Sequence, residues 1–319
     1  MHYTSQFKPA WWLPGPHLQT VWATITRRQP KIETQRERLE LPDGDYVDLD
    51  WAGEGRGPIV LILHGLGGCI ESPYARGFLR AITEHGWRGV FMHFRGCSGE
   101  PNRLPRMYHS GEIGDIAYVV QELKNREPAT PLAVIGVSLG GSVLINWLGK
   151  HNKDKLLVAS VAISVPFELK KAATHINKGL SRFYQWYILR DLRQTITNKF
   201  KLIQAPVDFG DIDRLRTFWD FDNAITAPLH GFMDAHDYYE KASCRSYLKD
   251  IEIPTLILQA HDDPFMSPDI IPDAHELSKF VTLEISKTGG HVGFVTGHLP
   301  WRPVYWLEQR AMEYLKQHF

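Results

Sequence analysis

Short apolar runs punctuate the chain, and stretches bearing Gly, Pro or charge separate them. Residues 58–63, 89–94, 131–137, 156–164, 254–260 and 281–285 are runs of apolar residues, rich in Val, Ile, Leu and Ala except for the aromatic 89–94, with few polar interruptions. A run of four to eight such residues without period-2 alternation marks a strand covered on both faces. Between the runs, helical periodicity predicts helices at about 73–85, 111–125, from Leu139 onward, near 270–278 and from Pro303 to Gln317. Strands alternating with helices argue for an α/β protein with a mostly parallel central sheet and helices on both faces. Ahead of this rhythm, Arg38–Leu41 and Tyr46–Asp50, joined by Pro42-Asp43-Gly44-Asp45, read as a hairpin.

The rhythm breaks between residues 167 and 248, which are aromatic-rich, helical in pattern and without a strong strand. The expected division is a core in two parts, 1–166 and 249–319, interrupted by a helical cap over 167–248. Within the cap, Leu180, Phe183, Tyr184, Tyr187 and Ile188 recur at i, i+3, i+4, i+7 and i+8, an apolar stripe on one helix face. Part of that stripe is expected to roof a cleft. Residues 167–204 carry eight Lys/Arg against two Asp/Glu, and residues 205–240 carry the reverse. The two blocks are expected to attract each other, at ~0–1 kcal/mol per exposed pair. Residues 1–30 hold Trp11, Trp12 and Trp22 among prolines, so this arm is expected to pack along the body rather than hang in water.

Composition narrows the function. The 36 Lys/Arg balance 36 Asp/Glu, so no global charge draws the chain to nucleic acid or anionic membrane. No apolar run approaches the ~20 residues of a membrane span. The N-terminus lacks a basic region followed by an apolar one, so it does not read as a signal peptide. Cys69, Cys97 and Cys244 are scattered, which suits free thiols in a cytoplasmic protein.

The candidate chemistry begins at Gly136-Val137-Ser138-Leu139-Gly140, between a strand and a helix. A G-x-S-x-G pattern alone arises by chance in about one chain in ten of this length. The strand before it and the helix after it make it a nucleophile elbow, with Ser138 at the tip of a sharp turn. Gly136 and Gly140 leave room where strand and helix pass closely. His64-Gly65-Leu66-Gly67-Gly68 ends the 58–63 strand, and the backbone N–H groups of Leu66 and Leu139 would form an oxyanion hole. A serine needs a base, and the base a carboxylate, in the chain order Ser, Asp or Glu, His. His261-Asp262-Asp263-Pro264 and Gly289-Gly290-His291 supply them, each just past a strand. Asp263 is favoured over Asp262, because a turn at Pro264 leaves Asp263 as the last residue the strand aims.

Together these motifs resemble the α/β-hydrolase superfamily. Trp12-Leu13-Pro14-Gly15-Pro16-His17-Leu18-Gln19-Thr20, Phe94-Arg95-Gly96-Cys97-Ser98-Gly99 and Tyr108-His109-Ser110-Gly111 narrow the resemblance to its YheT-like branch, the AB-hydrolase 4 family, from about residue 7 to the C-terminus. That resemblance implies the α/β-hydrolase fold and a serine carboxylesterase, lipase or acyltransferase acting on acyl esters. Its triad falls on Ser138, Asp263 and His291. Other signals fail. His109 and Asp115 are one residue too far apart for an H-x4-D acyltransferase box. His230, His236, Asp234 and Asp237 lack metal-ligand spacing and read as solvated residues. No phosphate loop is present. The expectation is a cytoplasmic serine esterase acting on short- to medium-chain acyl esters, with no cofactor or metal, no nucleic-acid partner and no integral membrane segment. Transfer of the acyl group to an alcohol, or an idle hydrolase-fold binding protein, are the rival readings.

Overall fold

The computed structural model describes residues 2–28, 30–151 and 155–319. In chain order the elements before the insert are β1 (His2–Thr4), α1 (Pro16–Thr26), β2 (Gln35–Glu40), β3 (Tyr46–Ala52), β4 (Ile59–Leu63), α2 (Ala75–Glu84), β5 (Arg88–His93), α3 (Gly114–Arg126), β6 (Leu132–Val137), α4 (Leu139–Lys150) and β7 (Ala159–Ile163). Five helices follow without a strand: α5 (Leu169–His175), α6 (Ser181–Leu202), α7 (Phe218–Phe221), α8 (Ala227–Leu229) and α9 (Ala235–Ala242), with a π-helical turn Asp222–Thr226 joining α7 to α8. The sheet resumes with β8 (Thr255–Ala260) and β9 (Val281–Ser286), then the hairpin β10 (Val295–Leu299) and β11 (Arg302–Tyr305), and α10 (Trp306–Leu315).

Among the described residues nine strands form one sheet in the order β1-β9-β8-β7-β6-β4-β5-β3-β2. All neighbours from β1 to β5 run parallel, and β3 and β2 are antiparallel additions at the edge. The apolar runs are the central strands because both of their faces are covered. In β4, Leu61 and Leu63 enter the core on the face of α3 and α4, whereas Val60 and Ile62 enter the core on the face of α2 and α10. All five residues of β4 are buried, and each fully buried aliphatic side chain contributes roughly 1.5–3 kcal/mol.

The structure differs from the sequence expectation in four places. Residues 270–278 form only 3₁₀ turns, Pro268–Ile270 and Ala274–Glu276, because Pro272 has no N–H and its ring blocks a continuous helix. Pro303 lies in β11, and the last helix starts three residues later. His2–Thr4 add a parallel strand beside β9. Among the described residues no ion pair joins residues 167–204 to 205–240; Arg193 donates to the carbonyls of Asp213 and Leu215 instead. The arm does pack on the body, with Phe7 against Phe294 at 5.1 Å between ring centroids and the Trp12 indole N–H donating to the Gly297 carbonyl at 3.1 Å, though Trp11 stays exposed. No helix among the described residues is long and apolar enough to cross a membrane.

The order β6-β4-β5 reverses the direction in which successive strands are laid down, which opens a crevice beyond their C-terminal ends. The crevice depends on α4 passing close to β4. A Cβ at Gly140 would collide with the Leu63 carbonyl and lie 2.6 Å from the His64 carbonyl, both rigid backbone. Gly140→Ala should therefore cost on the order of 3 kcal/mol, a fall in Tm of about 6–12 °C by calorimetry. An unchanged Tm would mean that helix and strand do not approach this closely.

Candidate active site

Ser138 sits between β6 and α4 with φ 53° and ψ −117°, a conformation that costs a non-glycine residue about 1–3 kcal/mol. Tight crossing holds it there: a Cβ at Gly136 would meet the Gly140 carbonyl at 2.5 Å, and one at Gly65 would meet the Ser138 Cβ at 3.2 Å. The Ser138 side chain therefore emerges beside the turn after β4. In that turn the N–H of Gly65 donates to the Tyr74 hydroxyl at 2.9 Å, and that of Gly67 to the Tyr108 hydroxyl at 2.7 Å. Between them, the N–H of Leu66 has no acceptor among the described residues, nor does that of Leu139 at the start of α4. His64 braces the turn. Its Nε2 accepts from the Phe94 N–H at 3.0 Å, its Nδ1–H donates to the Gly65 carbonyl, and burial lowers its pKa to about 3.

His291 Nε2 lies 3.0 Å from Ser138 Oγ, and its Nδ1 lies 2.7 Å from Asp263 Oδ2. The other carboxylate oxygen of Asp263 accepts the Phe265 N–H at 2.8 Å, so the turn through Pro264 locks the carboxylate in place. Asp262 faces elsewhere and accepts the Gly290 N–H at 3.0 Å; burial, then the charge of Asp263, raises its pKa. Ser138, Asp263 and His291 are brought together, and Asp262 supports the histidine's loop. Sequence reasoning missed Phe265, whose ring stacks on His291 with centroids 3.9 Å apart and planes 8° from parallel. An aromatic directly after the Asp-Pro pair was its signal.

The loop from Gly289 to Val295 is held one N–H at a time. The amide of His291 donates to Thr20 Oγ1 at 2.9 Å, that of Val292 to Ser164 Oγ at 3.1 Å and that of Val295 to Gln19 Oε1 at 2.7 Å. Gln19 and Thr20 belong to α1, so the arm is part of the site. A cavity of about 570 Å³ opens on Ser138 and His291. Its wall is mostly apolar and is drawn from α1, the turn after β4, residues 107–110, α6 and the Asp222–Thr226 turn.

The comparisons with known proteins agree with this fold. The pattern of the alpha/beta hydrolase fold matches residues 58–298. YheT of Escherichia coli, a candidate esterase by its name, is 41% identical over 98% of this chain and 93% of its own length. The chain belongs to the α/β hydrolase fold family. The monoacylglycerol lipase of Saccharomyces cerevisiae is 31% identical over 74% of this chain and 55% of its own. In fold, the esterase Pf2001 of Pyrococcus furiosus superposes with a TM-score of 0.60 over 100% of this chain and 99% of its own, at 17% identity. Within this family the anchoring of the histidine loop by α1 is open to direct measurement. Thr20→Val leaves the buried His291 N–H without its acceptor, a loss of about 1–3 kcal/mol. Amide exchange of the 289–295 loop should then quicken by roughly 10- to 100-fold while β6 and β8 keep their protection. Unchanged exchange in the loop would show that Thr20 does not hold it.

Proposed function

We propose that the chain is a serine ester hydrolase in which Ser138, His291 and Asp263 act as a unit. The observation that carries this reading is the continuous relay from Ser138 Oγ through the His291 ring to Asp263, opening on an apolar cavity. His291 takes the Ser138 proton as the oxygen attacks the acyl carbonyl, and returns it to the leaving alcohol. Asp263 holds the proton of Nδ1 and stabilises the imidazolium. The oxyanion of the tetrahedral intermediate is received by the N–H groups of Leu66 and Leu139, each worth about 10²–10³ in kcat in comparable sites. Water then enters, His291 activates it, and the acyl-enzyme is cleaved. The names carried by YheT and the yeast lipase fit this reaction, and three cysteines without a disulfide fit a cytoplasmic setting.

The helical insert over residues 167–248 caps the crevice and supplies the acyl pocket. Phe183, Tyr184, Tyr187 and Ile188 of the α6 stripe line the cavity, whereas Leu180 at the head of the helix is 72% exposed and stands off it. Tyr184 is buried and its ring lies 5.1 Å from that of Phe265, so the stripe reaches the ring that covers His291. Phe183 and Tyr187 are half-exposed at the mouth.

A fluorophosphonate should label Ser138, and Ser138→Ala should remove the label. Asp263→Asn should lower the labelling rate and kcat by up to ~10⁴. In Asp262→Asn the amide oxygen still accepts the Gly290 N–H, so the loss there should stay below about tenfold. A larger loss in Asp262→Asn would reverse the assignment, and a folded wild type that resists labelling would favour a binding protein.

Acyl length gives a second measurement. Each CH₂ buried along the stripe contributes about 0.8 kcal/mol, so kcat/KM should climb roughly fourfold per carbon until the pocket is full. Phe183→Ala or Tyr187→Ala should move the optimum while Ser138 still labels. An optimum that stays put in both would place the acyl pocket elsewhere.

A further inference from the structure

The wall of the same cavity carries two histidines that the reaction above does not use. His109 follows Tyr108, whose hydroxyl holds the Gly67 N–H of the oxyanion turn. It is only 9% exposed, yet it lines the same cavity as Ser138. Its Nδ1 accepts the Gly111 N–H at 3.1 Å, which leaves the ring proton on Nε2. That Nε2–H has no acceptor among the described residues. The ring is fixed edge-on against Phe232 and Tyr238, with centroids 5.3 and 5.6 Å away. His230, which the sequence had placed among solvated residues, packs on His109 at 4.5 Å between centroids and lines the cavity too. Neither of its ring nitrogens has a partner among the described residues.

Both rings are neutral. Burial, then the nearby cations Arg106 and Lys150, lower His109 to about 3; burial, then His109 and Arg106, lower His230 to about 3. An anion such as a phosphate would have to draw protons onto two such rings. Asp222 lines the same cavity and opposes negative charge further. Among the described residues no third His, Cys, Asp or Glu gathers with the pair to hold a metal ion. What two neutral imidazoles offer is one N–H donor and one bare nitrogen acceptor each, and a hydroxyl group matches that pair by accepting from one ring and donating to the other.

We propose that His109 and His230 form a subsite for the alcohol portion of the ester, and that this portion carries a free hydroxyl. The proposal rests on the serine-hydrolase reading: with the acyl chain along α6, the leaving alcohol occupies the remaining, polar wall. His109 Nε2–H donates to the hydroxyl oxygen, and the hydroxyl donates to the bare nitrogen of His230. An ester whose alcohol lacks the hydroxyl leaves both rings unpaired in a buried site, which is how such sites discriminate.

The test compares two butyrate esters of similar size, glycerol 1-monobutyrate and propyl butyrate, with the full chain. Wild type should favour the glycerol ester in kcat/KM by about tenfold or more, and His109→Phe and His230→Phe should each bring that ratio towards one. His109→Gln, which keeps an N–H near the Nε2 position, should restore most of it. Because each ratio is taken within one preparation, a partly misfolded variant does not distort it. A ratio that is flat in wild type or unmoved in both Phe variants overturns the subsite, as does a ratio lost equally in His109→Gln. Fluorophosphonate labelling separates the two readings. A labelled wild type with a flat ratio loses the subsite alone, and an unlabelled wild type loses the hydrolase reading and the subsite with it.

Discussion

The backbone crossing at Ser138 is the constraint on which the site depends. Helix α4 leaves β6 so sharply, and so near the end of β4, that only glycine fits at 136 and 140. A serine at φ 53° is unfavourable alone and persists because α4 is buried along ten of its twelve residues. The buried apolar face of α4 thus offsets the local strain of about 1–3 kcal/mol. The same crossing sets the turn after β4 close against the serine, since a Cβ at Gly65 would come within 3.2 Å of the Ser138 Cβ. The serine is registered by the sheet, and the turn beside it by the sheet together with the side chains of His64, Tyr74 and Tyr108.

The histidine has no such rigid element beneath it and is positioned by accounting for buried N–H groups. Gly290, His291, Val292 and Val295 donate to Asp262, Thr20, Ser164 and Gln19, which come from the β8 turn, α1, the end of β7 and α1 again. Val292 and Phe294 take positive φ to do so, at 56° and 46°. Gln19 is 1% exposed and returns two hydrogen bonds, to the Leu13 and Val295 carbonyls. A segment that precedes the family pattern at residue 58 therefore sets where His291 stands.

What the sequence disclosed follows from which forces act locally. Central strands such as β4 and β6 were legible because covering both faces leaves only aliphatic residues. The candidate triad was legible because each member follows such a strand. Asp263 over Asp262 followed from Pro264, and the structure adds the reason: the turn spends one oxygen on Phe265 N–H and leaves the other for His291. Strand β1 was not legible, since three residues carry no period and pair with β9 some 280 positions away. The opposed charge blocks of the insert misled because charges screened by water dictate little, and Arg193 finds carbonyls instead. His230 misled in the other direction. Nothing local says that a histidine after Pro228-Leu229 will meet His109, because only the packing of the insert on the loop after β5 joins them.

That packing also couples the two walls of the cavity. Lys199, near the end of α6, is 1% exposed and donates to Asn102 Oδ1 and to the Arg106 carbonyl, at 2.8 Å for the latter. Burial lowers its pKa to about 8, so at neutral pH a cation sits inside the protein, and Asp45, which accepts from Arg95 and Asn102, favours its charged form. Removing one member of such a network strands the others without partners, so the segment from 102 to 106 is tied firmly to α6. Two residues further on, Tyr108 holds Gly67 of the turn after β4, and His109 faces the cavity. The helix that bears the apolar stripe and the turn that bears Leu66 are therefore ends of one hydrogen-bonded chain. A shift of α6 large enough to reshape the stripe must strain either the Lys199 contacts or the turn beside Ser138. The shape of the apolar stripe and the alignment of the N–H groups in the turn after β4 are thus mechanically one property of this fold.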